Sequence, residues 1–273
     1  MSVKYYKVKI LYLLIVLSLV SFLPVIALNS YVKDNAVLPL IKEFNHSNLL
    51  KKQIAKVLSK WTIETLERSN AEAAIISRPG TKFVRWLDKT GMGHTGIIIK
   101  DPEFNTWMVY NLFSNPLKKH RFYEIRRTTV YDFFYSQPSL QLNALALIPS
   151  QEIQKNIISS FITGKNKELL KERKYNLISS SENFDSSNCI EWVMLNTFAA
   201  KENIYNVDEL IKIVNKEIFV KPIKLTFISR LILAFTPNFF NDELPKDSYV
   251  KTFIAYDLYN SNLFIKKIFY RNS

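Results

Sequence analysis

A chain of 273 residues with one cysteine must be held together by its core, because no disulfide can form within it. The same count excludes a cysteine-rich zinc site, and three histidines (His46, His94 and His120) are too few for an imidazole cage. No metal and no cofactor is expected. Hydrophobic residues make up 48% and aromatics 14%, which supplies the core and excludes a mainly disordered chain. Five glycines and ten prolines exclude collagen-like and linker-like chains.

The single cysteine, Cys189, lies in Ser186-Ser187-Asn188-Cys189-Ile190-Glu191-Trp192. Ser187 or Asn188 is a good N-cap, so Cys189 is expected in the first turn of a helix over 188–200. Free N–H groups and the positive helix end there favour a thiolate, and the Cys189 N–H is placed to help bind an oxyanion. The competing reading is a buried structural thiol. Glu191 reads as a first-turn acid favoured by the dipole.

A nucleophilic thiol needs a base. His94 stands in Gly91-Met92-Gly93-His94-Thr95-Gly96, where close glycines give backbone or substrate access to the ring. A packed core histidine is the alternative. His120 and His46 read as surface. With a four-residue loop at Asp101–Phe104, Lys100 pairs with Asn105, and position 94 faces Asn111. Asn111 is thereby the candidate to orient the imidazole.

The remaining pattern predicts a helix over 48–68 capped by Ser47, with strands at 73–77, 95–100, 106–113 and 142–148. A helix over 151–163 capped by Ser150, a polar helix near 168–174 and a helix over 207–216 follow. Without βαβ alternation this order indicates α+β. The apolar stretch 225–240, broken by Arg230 and Pro237, is too short to span a bilayer and reads as core or an interfacial segment.

The N-terminus has Lys4, Lys7 and Lys9 before Ile10–Leu28, which carries no charge. That pattern predicts export, by a signal peptide cut after Ala27 or by an uncleaved anchor. Either way the rest of the chain lies outside the cytoplasm, periplasmic or otherwise extracytoplasmic. Cleavage removes three lysines and no acid, so the net charge falls from +13 to +10. The basic pairs (Lys51-Lys52, Lys118-Lys119, Arg126-Arg127, Lys266-Lys267) sit in no nucleic-acid motif, and no nucleic-acid partner is expected. They read as a solvated surface, or as attraction to an anionic membrane or cell-wall polymer.

Gly93-His94-Thr95-Gly96-Ile97-Ile98, Lys174-Tyr175-Asn176 and Asn188-Cys189 opening a helix resemble the circularly permuted branch of the NlpC/P60 papain-like superfamily, which runs histidine first and cysteine later. More closely, 73–198 resembles an uncharacterised family of exported bacterial proteins. The motifs there are Ser77-Arg78-Pro79-Gly80, the His94 strand, a strand led by Trp107, Tyr175, and Asn188–Trp192. The tail after Leu225 resembles it more weakly. The resemblance implies an α+β fold in which a permuted papain-like antiparallel sheet packs against helices. It carries over Cys189 as nucleophile, His94 as base and Asn111 as orienter, the last varying in type within the superfamily. Tyr175, with Gly93, Asn188 and Trp192, is the expected substrate contact.

The expected organisation is a signal peptide or anchor at 1–27, a helical segment at 28–70, the permuted core at 71–220 and a C-terminal extension at 221–273. The expected function is an exported or membrane-anchored thiol hydrolase or acyltransferase acting on an amide or ester. Its substrate would be a cell-wall peptide or a lipid acyl chain. The alternative is a catalytically silent binding or structural protein of the envelope with the same fold.

Overall fold

The computed structural model describes residues 37–80, 88, 90–114, 123–171, 173–179, 181, 186–225 and 249–271, with the side chains of 37–46 left aside. The apolar segment Ile10–Leu28, His46, His120 and all but the first residue of 225–240 therefore lie outside the described side chains. No helix among the described residues is long and apolar enough to cross a membrane. The chain divides into Met1–Leu50 and Lys51–Ser273, and the sheet, the remaining helices and the site belong to the second unit.

Helix α1 runs Val37–Arg68. It begins eleven residues before the expected start, because Pro39 falls in the first turn, where its missing N–H has no partner to lose. It stops where Asn70 turns left-handed at φ 51° and the Ala71 N–H closes on the Leu66 carbonyl. Strands β1 (Ala73–Pro79), β2 (Met92–Asp101), β3 (Thr106–Ser114) and β4 (Tyr123–Thr129) follow, then helix α2 (Val130–Tyr135) and strand β5 (Asn143–Pro149). Helix α3 (Gln151–Thr163) begins at Ser150, which accepts from the Ile153 N–H, and ends at Gly164 with φ 77°. The expected polar helix near 168–174 is instead a 3-10 turn over Lys165–Leu170. Next come strands β6 (Lys174–Tyr175) and β7 (Ser186–Ser187), helices α4 (Cys189–Glu202) and α5 (Val207–Glu217), and strands β8 (Ile223–Lys224) and β9 (Tyr249–Val250). Helix α6 (Ala255–Asn260) and strand β10 (Phe264–Arg271) close the order.

Six strands form one antiparallel sheet in the order β10-β5-β1-β2-β3-β4. The fold is α+β, with helices on both faces. Period-two alternation sends Ile75, Ile97, Ile99, Leu145 and Leu147 to a core shared with α3, α4 and α5. Ala74, Ile76, Ile98, Val109 and Ala146 go to a second core shared with α1 and α2. The tail expected as an extension supplies the edge strand β10 itself. Both edges carry exposed basic residues, Arg126 and Arg127 on β4 and Lys266 and Lys267 on β10. Charge at a sheet edge discourages pairing with another chain, which gives two of the basic pairs a structural use.

Two irregularities shape the site. The β1–β2 ladder pairs Arg78 with His94 but Pro79 with Met92, so Gly93 is the extra residue of a β-bulge. The β2–β3 ladder pairs Ile97 with Tyr110 and is described no further toward His94.

Candidate functional site: a thiol at a helix start

Cys189 is the first residue of α4. The Asn188 side chain accepts from the Ile190 N–H at 2.9 Å and the Glu191 N–H at 2.8 Å, and its own amide donates to Thr252. Asn188 thus serves as the cap of α4. Helix α4 is buried from Cys189 to Ala200, and Cys189 itself is 4% exposed. Burial pushes the thiol pKa up, against the Thr95 N–H, the Arg78 charge and the helix N–H groups that pull it down. The expected depressed thiol is thus corrected: the resting group is a neutral thiol, because desolvation outweighs the helix end.

The imidazole is held from the other side. The register Lys100↔Trp107 and Ile97↔Tyr110 replaces the expected Lys100–Asn105 pairing. Asp101 continues the strand and caps the loop with its Oδ1 on the N–H groups of Glu103 and Phe104, while Asn105 turns left-handed. Continued, that register sets Phe113 opposite His94, and the two rings stack with centroids 4.8 Å apart. The slip is two residues, so the face is kept and Asn111 still points to the ring's side. Asn111 stands across from Gly96, and its Oδ1 lies 2.8 Å from where a Gly96 Cβ would be. Its Nδ2 donates to the Val109 carbonyl and to Thr128 Oγ1. Burial and the Arg78 charge hold the His94 pKa well below normal, and the Asn111 amide opposes them. Among the described residues His94 Nε2 and Asn111 Oδ1 have no hydrogen-bond partner.

Ring and sulfur share no hydrogen bond among the described residues. The His94 ring packs against Phe113 and Phe133 on the Ile98 face of the sheet, whereas Cys189 belongs to the core on the Ile97 face. Ring and sulfur share Arg78, whose charge acts on both. Sequence reasoning quoted Arg78 within a motif and gave it no role. The usable signal was a cation ending the buried run Ala73–Ser77, in register with His94.

Tyr175 is buried, and burial together with the Cys189 sulfur raises its pKa, so the phenol stays neutral beside the thiol. Glu191 is no surface acid. It is 1% exposed, accepts from Arg173 Nη2 at 2.5 Å and from Ser179 Oγ at 2.6 Å, and so pins the 173–179 segment to the start of α4. Trp192 is sealed in the core edge-to-face with Phe161, so it packs where a substrate contact was expected. Gly93 is the half-buried bulge residue next to His94.

A family described as an uncharacterized protein conserved in bacteria (DUF2145) matches residues 65–248. The chain belongs to this family. No curated protein and no solved structure matches the chain. The DUF2145 segment begins in the last turn of α1 and takes in Arg78, His94, Asn111, Tyr175 and Cys189, while the edge strand β10 lies beyond it.

Proposed function

We propose that this DUF2145 protein is an exported or membrane-anchored thiol hydrolase or acyltransferase that attacks an amide or ester carbonyl, with a circularly permuted papain-like arrangement of its site. The observation that supports this reading is a cysteine at a helix start beside the strand that carries His94, with Asn111 on the same sheet face as that histidine. Cys189 is the nucleophile, His94 the base and Asn111 the orienting residue. Both reacting groups start neutral, so the proton passes from sulfur to imidazole as the sulfur attacks, which requires substrate binding to bring the two groups into hydrogen-bond contact. Asn111 then accepts from the charged ring. The Cys189 N–H stabilises the oxyanion, and the imidazolium returns its proton to the leaving group. Cell-wall peptides and lipid esters are the substrate classes that fit an extracytoplasmic location.

The burial of Cys189 and its raised pKa favour a second reading, a silent envelope protein that keeps the fold as a binding surface. Purified wild type and Cys189→Ala incubated with peptidoglycan fragments and lipid esters separate the two. Product formed only by wild type supports the enzyme. No cysteine-dependent product from either class supports the binding protein.

A further inference from the structure

Phe219 is 85% exposed, more than any other large apolar side chain among the described residues. It follows the end of α5, where Ile218 and Val220 turn inward and the larger ring between them turns out to water. One exposed apolar residue is ordinary, but Phe219 has company. It lines a surface cavity of about 200 Å³ together with Lys251. Tyr249, two residues before Lys251, is 52% exposed and pairs directly with Lys224 across β8 and β9, so those two side chains share a face. Lys221, Lys224 and Lys251 are all exposed. Two open aromatic rings and three lysines thus gather on a two-stranded sheet separate from the six-stranded one.

The charge of this patch is not offset by its nearest acid, because Glu217 bonds to Lys201. Over 216–251 the sequence has six basic residues and four acidic ones, so the local excess is positive whatever course the chain between the strands takes. That chain is a second constraint. Residues 226–248 leave beside β8 and return to β9, so the apolar stretch 225–240, whose one charged residue is Arg230, is tethered to the patch at both ends. Aromatic rings set among lysines suit the boundary between water and lipid, where the ring lies at headgroup level and the ammonium groups meet anionic lipid. The centres of protein–protein contacts are instead depleted in lysine.

We propose that the β8–β9 face docks on a bilayer surface that contains anionic lipid, with Phe219 and Tyr249 entering the headgroup region and Lys221, Lys224 and Lys251 meeting the lipid anions. This contact is distinct from the N-terminal apolar segment. It is reversible and weakened by salt, as a spanning anchor is not. It requires no turnover at Cys189, so it stands or falls apart from the hydrolase reading.

The test uses the full chain in the Cys189→Ala background, with a bimane label on Pro222→Cys, an exposed position inside the patch. The control carries the label on Phe104→Cys in the exposed β2–β3 loop. A site-specific label reads the patch itself, whether or not the N-terminal segment also holds the chain to the vesicle. Vesicles of phosphatidylcholine alone are compared with vesicles of equal parts phosphatidylcholine and phosphatidylglycerol, both with spin-labelled lipid as quencher. Quenching at 222 should exceed that at 104 several-fold on the mixed vesicles, and should fall toward the control on phosphatidylcholine alone and in concentrated sodium chloride. Lys221→Glu with Lys224→Glu, and separately Phe219→Ser, should each reduce it several-fold. Quenching at 222 no stronger than at 104, or equal on the two kinds of vesicle, overturns the proposal. So does quenching unchanged by the lysine reversals. If those variants do not fold, the comparison of vesicles and salt with the labelled parent decides. A label at 222 that becomes shielded as protein concentration rises, with no lipid present and no quenching when lipid is added, would make the patch a contact between copies and also overturn lipid docking.

Discussion

The Asn111 Oδ1 occupies the space that a side chain on Gly96 would need, 2.8 Å from the Cβ position. Glycine at 96 is what lets an amide on the neighbouring strand reach back toward His94. Any substituent would also meet Val109 Cγ1 at 2.8 Å and the Tyr110 carbonyl at 3.0 Å, which belongs to the backbone and cannot swing away. Gly96→Ala should therefore destabilise the protein by about 1–3 kcal/mol in urea unfolding. Adding Asn111→Ala should recover only part of that, because two of the three contacts remain.

The ion pair beneath the thiol gives a second outcome. Arg173 and Glu191 are 4% and 2% exposed at their side chains. Glu191→Gln removes the carboxylate that Arg173 Nη2 meets at 2.5 Å and should cost roughly 3–5 kcal/mol of stability. The double variant Glu191→Gln with Arg173→Met should cost less than Glu191→Gln alone. Additive losses would show that the pair does not act as a unit.

A third outcome concerns pH. Asp257 caps α6 by accepting from the Ile254 N–H, and burial together with the nearby Asp88 charge raises its pKa from 3.8 to about 6. Burial raises Asp88 as well. A raised carboxyl binds its proton more tightly folded than unfolded. Its contribution is fully present below about pH 4 and is lost as pH rises through about 6, on the order of 2–3 kcal/mol for a shift of that size. Unfolding free energies measured from pH 4 to 7 should fall more steeply for wild type than for Asp257→Asn. Parallel curves would place the Asp257 pKa near its ordinary value.

Local signals read well from sequence where the chemistry was local. Ser150 and Gly164 bracket α3 at the expected residues, and Asn188 caps α4 as its side chain allows. Strands with apolar alternation were legible too. In the six-stranded sheet the strands missed were the edges, β4 and β10, because Glu124, Arg126, Arg127, Lys266 and Lys267 interrupt the pattern that marks a buried strand. The hairpin register depended on one residue of loop placement, which Asp101 and Asn105 decide through a side-chain cap and a left-handed turn. For the candidate site, the sequence singled out Cys189, His94 and Asn111 but held no information on their electrostatics or on which sheet face each would take. Whether a helix end lowers a thiol pKa depends on burial, a tertiary property.

The central claim is that Cys189 takes an acyl group with His94 as its base. Intact-mass analysis of the full chain after brief exposure to p-nitrophenyl acetate tests it most directly. An acetyl adduct should appear on Cys189 of wild type and be absent in Cys189→Ala. In His94→Ala it should form more slowly by a factor on the order of 10²–10⁴. Wild type that acquires no adduct at Cys189, or that acquires it no faster than His94→Ala, would contradict the account.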